Sequence, residues 1–137
     1  MAEPFRQKER AIAEHLVTEH GAMVHRRPED HTTYRKTNPD ALVRYDGADP
    51  GRLTEFKTLT EATTSAVKRD IIDAAKQLSQ HGGGDAVIDG RQVHLGEDVV
   101  RQGYARAAGQ AQAHGQAMPR RARVILSGGR TIDLGEG

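Results

Sequence analysis

Apolar residues recur every three or four positions in three stretches of the chain, which is the spacing of one face of a helix. This spacing predicts helices over about residues 4–20, 63–81 and 97–116. Gly21 is the expected stop of the first helix, and a hydroxyl side chain within 63–65 can cap the start of the second. The third helix contains several glycines, each of which weakens a helix by about 1 kcal/mol relative to alanine.

Shorter apolar stretches, bounded by turn residues, predict six strands at residues 22–26, 40–45, 52–59, 85–89, 123–127 and 130–134. A turn rich in Asp, Gly and Pro at 46–51 joins the second strand to the third, so the first three strands form a meander. The strand, helix, strand order that follows requires a crossover. We therefore predict an α/β (α+β) fold with a mixed central sheet flanked by helices, as a single domain over residues 1–137.

Composition narrows the class of protein further. Hydrophobic residues make up 36% of the 137 residues and charged residues 28%, and no apolar run approaches the roughly 20 residues needed to span a bilayer. Charged residues follow directly after Met1, so no signal peptide is visible at the start of the sequence. The chain has no cysteine, which excludes disulfides, cysteine-ligated zinc and a cysteine nucleophile.

The formal net charge is only +1, so nucleic-acid binding would have to depend on local clusters of basic residues. Between Val99 and Ile132 there are six arginines and no acidic residue. Arg120, Arg121 and Arg123 are the densest part of this stretch and are candidates for contacts with phosphate.

An acid and a base share one face of the third predicted strand. The two-residue period of a strand sends Glu55 and Lys57 to one face and Phe56 to the other. Asp40 begins the preceding strand, and an antiparallel hairpin can bring it beside Glu55. A slip of one residue in the pairing would move Glu55 and Lys57 to the wrong face.

Two carboxylates and an ammonium suit the hydrolysis of a phosphodiester. Asp and Glu oxygens are the ligands that Mg²⁺ or Mn²⁺ prefers, and Zn²⁺ is less favoured by this set. The metal polarises the phosphoryl oxygen and lowers the pKa of a water, and Lys57 can orient that water or neutralise developing charge.

The motif formed by Pro39-Asp40, a hairpin turn and Glu55-Phe56-Lys57 resembles the PD-(D/E)XK signature of the restriction-endonuclease-like nucleases. The predicted helix, three-strand meander, helix, strand order is similar to the core of that superfamily. Over residues 9–90 the pattern further resembles the C-terminal nuclease domains of CdiA-type contact-dependent growth inhibition toxins and related polymorphic toxins. The resemblance does not extend to the last 45 or so residues.

The resemblance implies a role for each matching residue. Asp40 and Glu55 would be metal ligands, Lys57 the catalytic lysine, and Glu14 the acidic residue that many members place on the first helix to help hold the metal. Gln77 corresponds to a glutamine often found on the helix after the signature. With Thr58, Arg120 and Arg121, it is a candidate for substrate contacts or for support of the site.

The resemblance also implies a biological setting. The chain would be part of a secreted or cell-surface bacterial toxin that acts in the cytoplasm of the target cell. Its substrate would be RNA, with transfer RNA as the expected target, and a cognate immunity protein would protect the producing cell. A DNase with the same site is the enzymatic alternative, and a non-catalytic nucleic-acid-binding or adaptor domain is an alternative of another class.

Simpler interpretations compete with each candidate. Glu55 and Lys57 could form a solvated cross-strand ion pair, worth less than about 1 kcal/mol. Asp40 could be an ordinary turn residue, Asp70 and Asp73 could decorate a solvated helix face, and four histidines between positions 15 and 31 are expected at the surface because their spacing matches no zinc motif.

Overall fold

The structure is a computed structural model that describes residues 7–26, 41–45 and 51–135. The elements are α1 (Gln7–His20), β1 (Met23–Arg26), β2 (Ala41–Arg44), β3 (Arg52–Thr58), α2 (Thr64–Ser79), β4 (Asp85–Asp89), α3 (Glu97–His114), β5 (Arg121–Ile125) and β6 (Thr131–Gly135). Their order and types agree with the sequence prediction.

One mixed sheet joins all six of these strands in chain order, β1-β2-β3-β4-β5-β6. β1, β2 and β3 form the expected antiparallel meander. β4 lies between two parallel partners, β3 and β5, and β6 returns antiparallel to β5. The prediction of a mixed sheet flanked by helices is confirmed.

Each face of the sheet has its own apolar core. On one face α2 and α3 pack over side chains that include Leu59, Ile88 and Val124. On the other face α1 packs its Ile12 and Leu16 in a cluster with Phe56, Val87 and Ile125 of the strands. Because neighbouring residues of a strand point to opposite faces, every residue of β3, β4 and β5 can be assigned to one face.

Local chemistry fixes the ends of the helices. Thr63 caps α2 by accepting a hydrogen bond at its Oγ1 from the Ala66 amide, 3.1 Å away. Gly115 ends α3 with a left-handed φ of 64°, a conformation that glycine adopts without strain. At the carboxyl end of β4, Arg91 contacts Asp89 and donates to the Ala11 carbonyl at 3.0 Å, which ties α1 to the sheet.

The last two strands differ from their predicted bounds. The apolar run at 124–126 placed β5 two residues too late in the prediction, whereas the strand begins at Arg121; Arg123, which the prediction did include, is buried. A hydrophobicity pattern cannot anticipate an arginine whose burial depends on an acidic partner on the next strand.

Candidate active site

Glu55 and Lys57 lie on the same face of β3, as the alternation predicted. The pairing of Glu55 with Ala86, and of Lys57 with Ile88, directs both side chains to the face covered by α2. Glu55 is 5% exposed, and its Oε2 lies 3.6 Å from Lys57 Nζ. A buried carboxylate carries a desolvation cost that a solvated ion pair does not. The interpretation of this pair as a solvated surface contact is therefore wrong.

A second acidic side chain, Asp70, reaches this region from α2. Its side chain is only 13% exposed. Burial raises the pKa of the Asp70 carboxyl, while the positive charges of Arg69 and Lys57 act to lower it. The expectation that Asp70 lies on a solvated face is wrong. Its sequence signal was its place between Ala66 and Ala74, which are buried positions one helical turn before and after it.

Gln77 lies on α2, two helical turns beyond Asp70, and is half-buried. It therefore faces the same side of the helix as Asp70. Because α2 connects two parallel strands, it runs back along β3, which places Asp70 nearer the Lys57 end of that strand and Gln77 nearer its beginning. The role of Gln77 stays a prediction.

Asp40 lies outside the described residues, so its place beside Glu55 stays a prediction. Its neighbour Ala41 pairs with Thr54, and Leu42 pairs with Leu53. This register keeps Leu42 on the same face as Glu55, so the hairpin does not contain the one-residue slip that would separate Glu55 and Lys57 from the α2 face.

Two predicted site residues lie on the other face of the sheet. Glu14 is exposed on α1, whose Ile12 and Leu16 pack against the Phe56 face, so the structure does not bring Glu14 to the face of Glu55. Thr58 alternates with Lys57 and pairs with Asp89, which also directs it away from the α2 face. A sequence pattern can predict a helix but not the side of the sheet on which it packs. The sequence therefore could not show that Glu14 lies on the opposite face from Glu55.

The arginines near the start of β5 are also placed differently from the prediction. Arg120 is exposed and precedes β5, but Arg121 and Arg123 point to the α1 face, opposite Glu55. Arg123 is buried and donates two hydrogen bonds to Asp133. Arg121 and Arg123 therefore do not line the site around Glu55.

The histidines of α1 are not simply surface residues. His15 is buried, and its Nε2 lies 2.9 Å from Thr131 Oγ1, while His20 Nε2 lies 3.3 Å from the same hydroxyl. Burial lowers the pKa of both imidazoles, followed in effect by the charge of Arg91 for His15 and of Arg123 for His20. The pair, five residues apart on the helix, meets only because β6 supplies Thr131.

On the α2 face the candidate metal ligand is a carboxylate oxygen and not a histidine nitrogen. The buried Glu55 carboxylate beside the Lys57 ammonium suits a hard cation such as Mg²⁺. Over residues 7–26, 41–45 and 51–135 no three His, Asp or Glu side chains group closely enough to hold a metal ion. Asp40, which lies outside those ranges, is the residue predicted to bind the metal together with Glu55.

The fold is similar to that of a known complex. A chain of the "CdiA-CT/CdiI toxin and immunity complex from Burkholderia pseudomallei" superposes with a TM-score of 0.54 and 12% sequence identity, covering 98% of this chain and 93% of that chain. No family model and no curated protein sequence matches this chain. None of the helices in the described part of the chain has the length and apolar character needed to cross a membrane.

Proposed function

We propose that this chain is a metal-dependent endonuclease domain of a contact-dependent growth inhibition toxin, and that it hydrolyses phosphodiester bonds in RNA, with transfer RNA as the target. The observation that carries the proposal is the buried Glu55 carboxylate 3.6 Å from the Lys57 ammonium, on the strand after a hairpin. The fold shared with a chain of a CdiA-CT/CdiI complex supports the same assignment.

Asp40 and Glu55 would hold the metal, in agreement with the PD-(D/E)XK pattern of these residues. Bound Mg²⁺ or Mn²⁺ would polarise the scissile phosphoryl oxygen and make water easier to deprotonate. Lys57 would orient the attacking water and offset the negative charge that develops on the phosphate. Glu14 has no assigned role in this scheme because it lies on the other side of the sheet.

Burial of Glu55 supports a catalytic role through its electrostatic consequences. A cation and a phosphate near this carboxylate would interact in a medium of lower effective dielectric than water, which strengthens each charge interaction. Asp70 adds a second partly buried carboxyl group close enough for Lys57 to affect its pKa. The α2 face therefore concentrates the charges that phosphodiester hydrolysis requires.

The proposed biological setting follows from the same likeness. The chain would be delivered as part of a secreted or cell-surface toxin and would act in the cytoplasm of the target cell. An immunity protein would be its specific partner, as in the toxin and immunity complex to which the fold is similar.

The non-catalytic adaptor is less favoured because much of the arginine-rich segment is paired with acidic residues. Arg101 and Arg130 both bind Glu97, at 2.7 Å in each case. Arg121 binds Asp85 and Arg123 binds Asp133. These contacts pair four of the six arginines on which the adaptor interpretation depended with three carboxylates, which reduces the positive charge left for a nucleic acid.

The test is to incubate the purified chain with transfer RNA and with plasmid DNA, with Mg²⁺ or Mn²⁺ and with EDTA. We expect cleavage of RNA that EDTA abolishes and that leaves 5′-phosphate and 3′-hydroxyl ends. Glu55→Gln should be inactive, whereas Glu61→Gln makes the same chemical change at an exposed position and should stay active.

Three other outcomes would each contradict one part of the proposal. Cyclic 2′,3′-phosphate ends would show that the ribose hydroxyl attacked, which contradicts the metal-dependent mechanism. Cleavage of DNA alone would favour the DNase. Equal toxicity of the original chain and Glu55→Gln on expression in bacteria would contradict catalysis at this site.

A further inference from the structure

A second cluster of charged side chains lies on the α1 face, opposite the site around Glu55. It is formed by side chains of β3, β4, β5 and β6 and by the residue that follows β2: Arg52, Asp85, Arg121, Arg123, Asp133 and Tyr45. We call this group the arginine cluster. The sequence predicted Arg121 and Arg123 as candidates for phosphate contact, but it did not predict that these six residues form one cluster.

Direct contacts connect the members of the cluster. Asp85 Oδ2 lies 3.4 Å from Arg121 Nη2 and 3.5 Å from Arg52 Nη1. Arg123 donates to both carboxylate oxygens of Asp133, at 2.7 and 2.9 Å. The guanidinium carbons of Arg121 and Arg123 lie 4.8 and 4.9 Å from the centre of the Tyr45 ring. Tyr45 thus contacts both guanidinium groups through its ring, as in a cation–π interaction.

The cluster contains buried polar atoms that its own members do not satisfy: two N–H donors and one acceptor, Asp85 Oδ1. Arg121 Nε and Arg123 Nη1 are both buried, and neither has a hydrogen-bond partner among the residues that the structure describes. The Arg123 side chain is 7% exposed, so bulk water does not compensate for the missing acceptor. The two arginines that contact the Tyr45 ring thus each have one N–H group without an acceptor in the described part of the chain.

The charge of the cluster also favours an anion. Its three guanidinium groups exceed its two carboxylates by one positive charge. A tetrahedral oxyanion offers several acceptor oxygens, and the planar guanidinium fork matches phosphate geometry better than an ammonium does. A phosphate would supply acceptors to both unsatisfied donors at once.

We propose that the arginine cluster is a phosphate-binding site, in which Arg121 Nε and Arg123 Nη1 donate to a phosphate group held beside Tyr45. Both inorganic phosphate and the 5′-phosphate of a nucleotide carry this group. Solvent reaches the cluster through Arg52 and Asp133, whose side chains are 41% and 40% exposed. Because the sheet separates it from Glu55, this proposal does not depend on nuclease activity.

The experiment is calorimetric titration of the chain with inorganic phosphate and with adenosine 5′-monophosphate, at low and high NaCl and without divalent metal. All proteins carry Glu55→Gln, so that toxicity does not limit expression. We expect saturable binding at one site, and an affinity that changes little with NaCl because the interacting groups are largely buried. Tighter binding of the nucleotide than of phosphate would identify the nucleotide as the ligand, and equal binding would identify the phosphate group alone.

Two variants separate a built site from general positive charge. Arg121→Lys keeps the charge but removes the Nε–H and the fork, and should weaken binding about tenfold or more. Arg106→Gln removes an exposed arginine of α3 and should bind as tightly as the unmodified cluster. Thermal unfolding of each variant without ligand shows whether the fold is intact.

The proposal is overturned if neither anion binds to the folded protein. It is also overturned if a folded Arg121→Lys binds as tightly as the protein with Arg121, since the fork would then have no role. If Arg121→Lys does not fold, thermal unfolding of the protein with Arg121 tests the proposal instead. Phosphate must then raise its unfolding temperature more than NaCl of equal ionic strength does.

Discussion

On the face of the sheet covered by α2 and α3, the apolar core extends from β3 to β6. Glu55, Lys57 and the nearby Asp70 place charged groups beside this core. On the face covered by α1, the apolar core is smaller, and charged or polar side chains extend from His15 to Arg121. The first face holds few charges, and they lie close to one another. The second holds many charges that are largely neutralised in pairs. Charges close together in an otherwise apolar region suit chemistry on a charged substrate, whereas charges spread over a face in several ion pairs suit positioning or binding.

The largest expected effect is on the rate of RNA cleavage, and it is tested at neighbouring residues of β3 that point to opposite faces of the sheet. Lys57→Gln should reduce RNA cleavage by about 10²- to 10⁴-fold, since the positive charge would act on the reacting phosphate. Thr58→Val, one residue later and on the α1 face, should change the rate by less than about twofold at equal stability. Equal losses in both variants would show that catalysis does not follow the face of the strand.

The next effect concerns stability on the α1 face. Asp133→Ala leaves the buried Arg123 guanidinium without its bidentate acceptor and should lower the free energy of unfolding by about 2 kcal/mol. We expect a smaller loss than the roughly 3–5 kcal/mol typical of breaking a fully buried ion pair, because the Asp133 side chain is itself 40% exposed. Urea unfolding measures the loss, and the double variant Arg123→Met/Asp133→Ala should recover part of it. A loss of stability in the double variant larger than in Asp133→Ala would contradict this explanation.

A change of comparable size in the free energy of unfolding is expected where α2 packs tightly on α3. A Cβ on Gly103 would lie 2.6 Å from Val67 side-chain atoms, so Gly103→Ala should destabilise the protein by about 1–3 kcal/mol. Gly109 lies on the same helix with nothing within 4 Å of its added Cβ, and Gly109→Ala should stabilise the protein by about 1 kcal/mol. Thermal unfolding of the two variants should therefore shift in opposite directions.

The smallest effect is the pH dependence of the α1 face. His15 and His20 have pKa values lowered chiefly by burial, so below about pH 6.5 the unfolded chain binds more protons than the folded chain. The free energy of unfolding should consequently fall as the pH is lowered from 7.5 to 5.5. His15→Gln should reduce this slope, as measured by urea unfolding across the range. A slope that the variant leaves unchanged would assign the dependence to other groups.

The sequence predicted most of the fold because its helices and strands have strong apolar periodicity and clear end signals such as Gly21 and Thr63. It also placed Glu55 and Lys57 correctly, since strand alternation is a local property. It could not predict the side of the sheet on which α1 packs, and so it could not show that Glu14 lies on the opposite face from Glu55. The buried Arg123 and the convergence of His15 and His20 on Thr131 depend on contacts between residues far apart in the chain.

The parallel pairing of β4 on both sides determines when the Glu55 strand acquires its final environment. β3 can pair with β2 through a short connection, but its other neighbour is delivered only after the chain has formed the α2 crossover. Contacts of high sequence separation form late because closing long segments is entropically costly. The pairing that gives Glu55 and Lys57 their environment therefore also slows the folding of the chain.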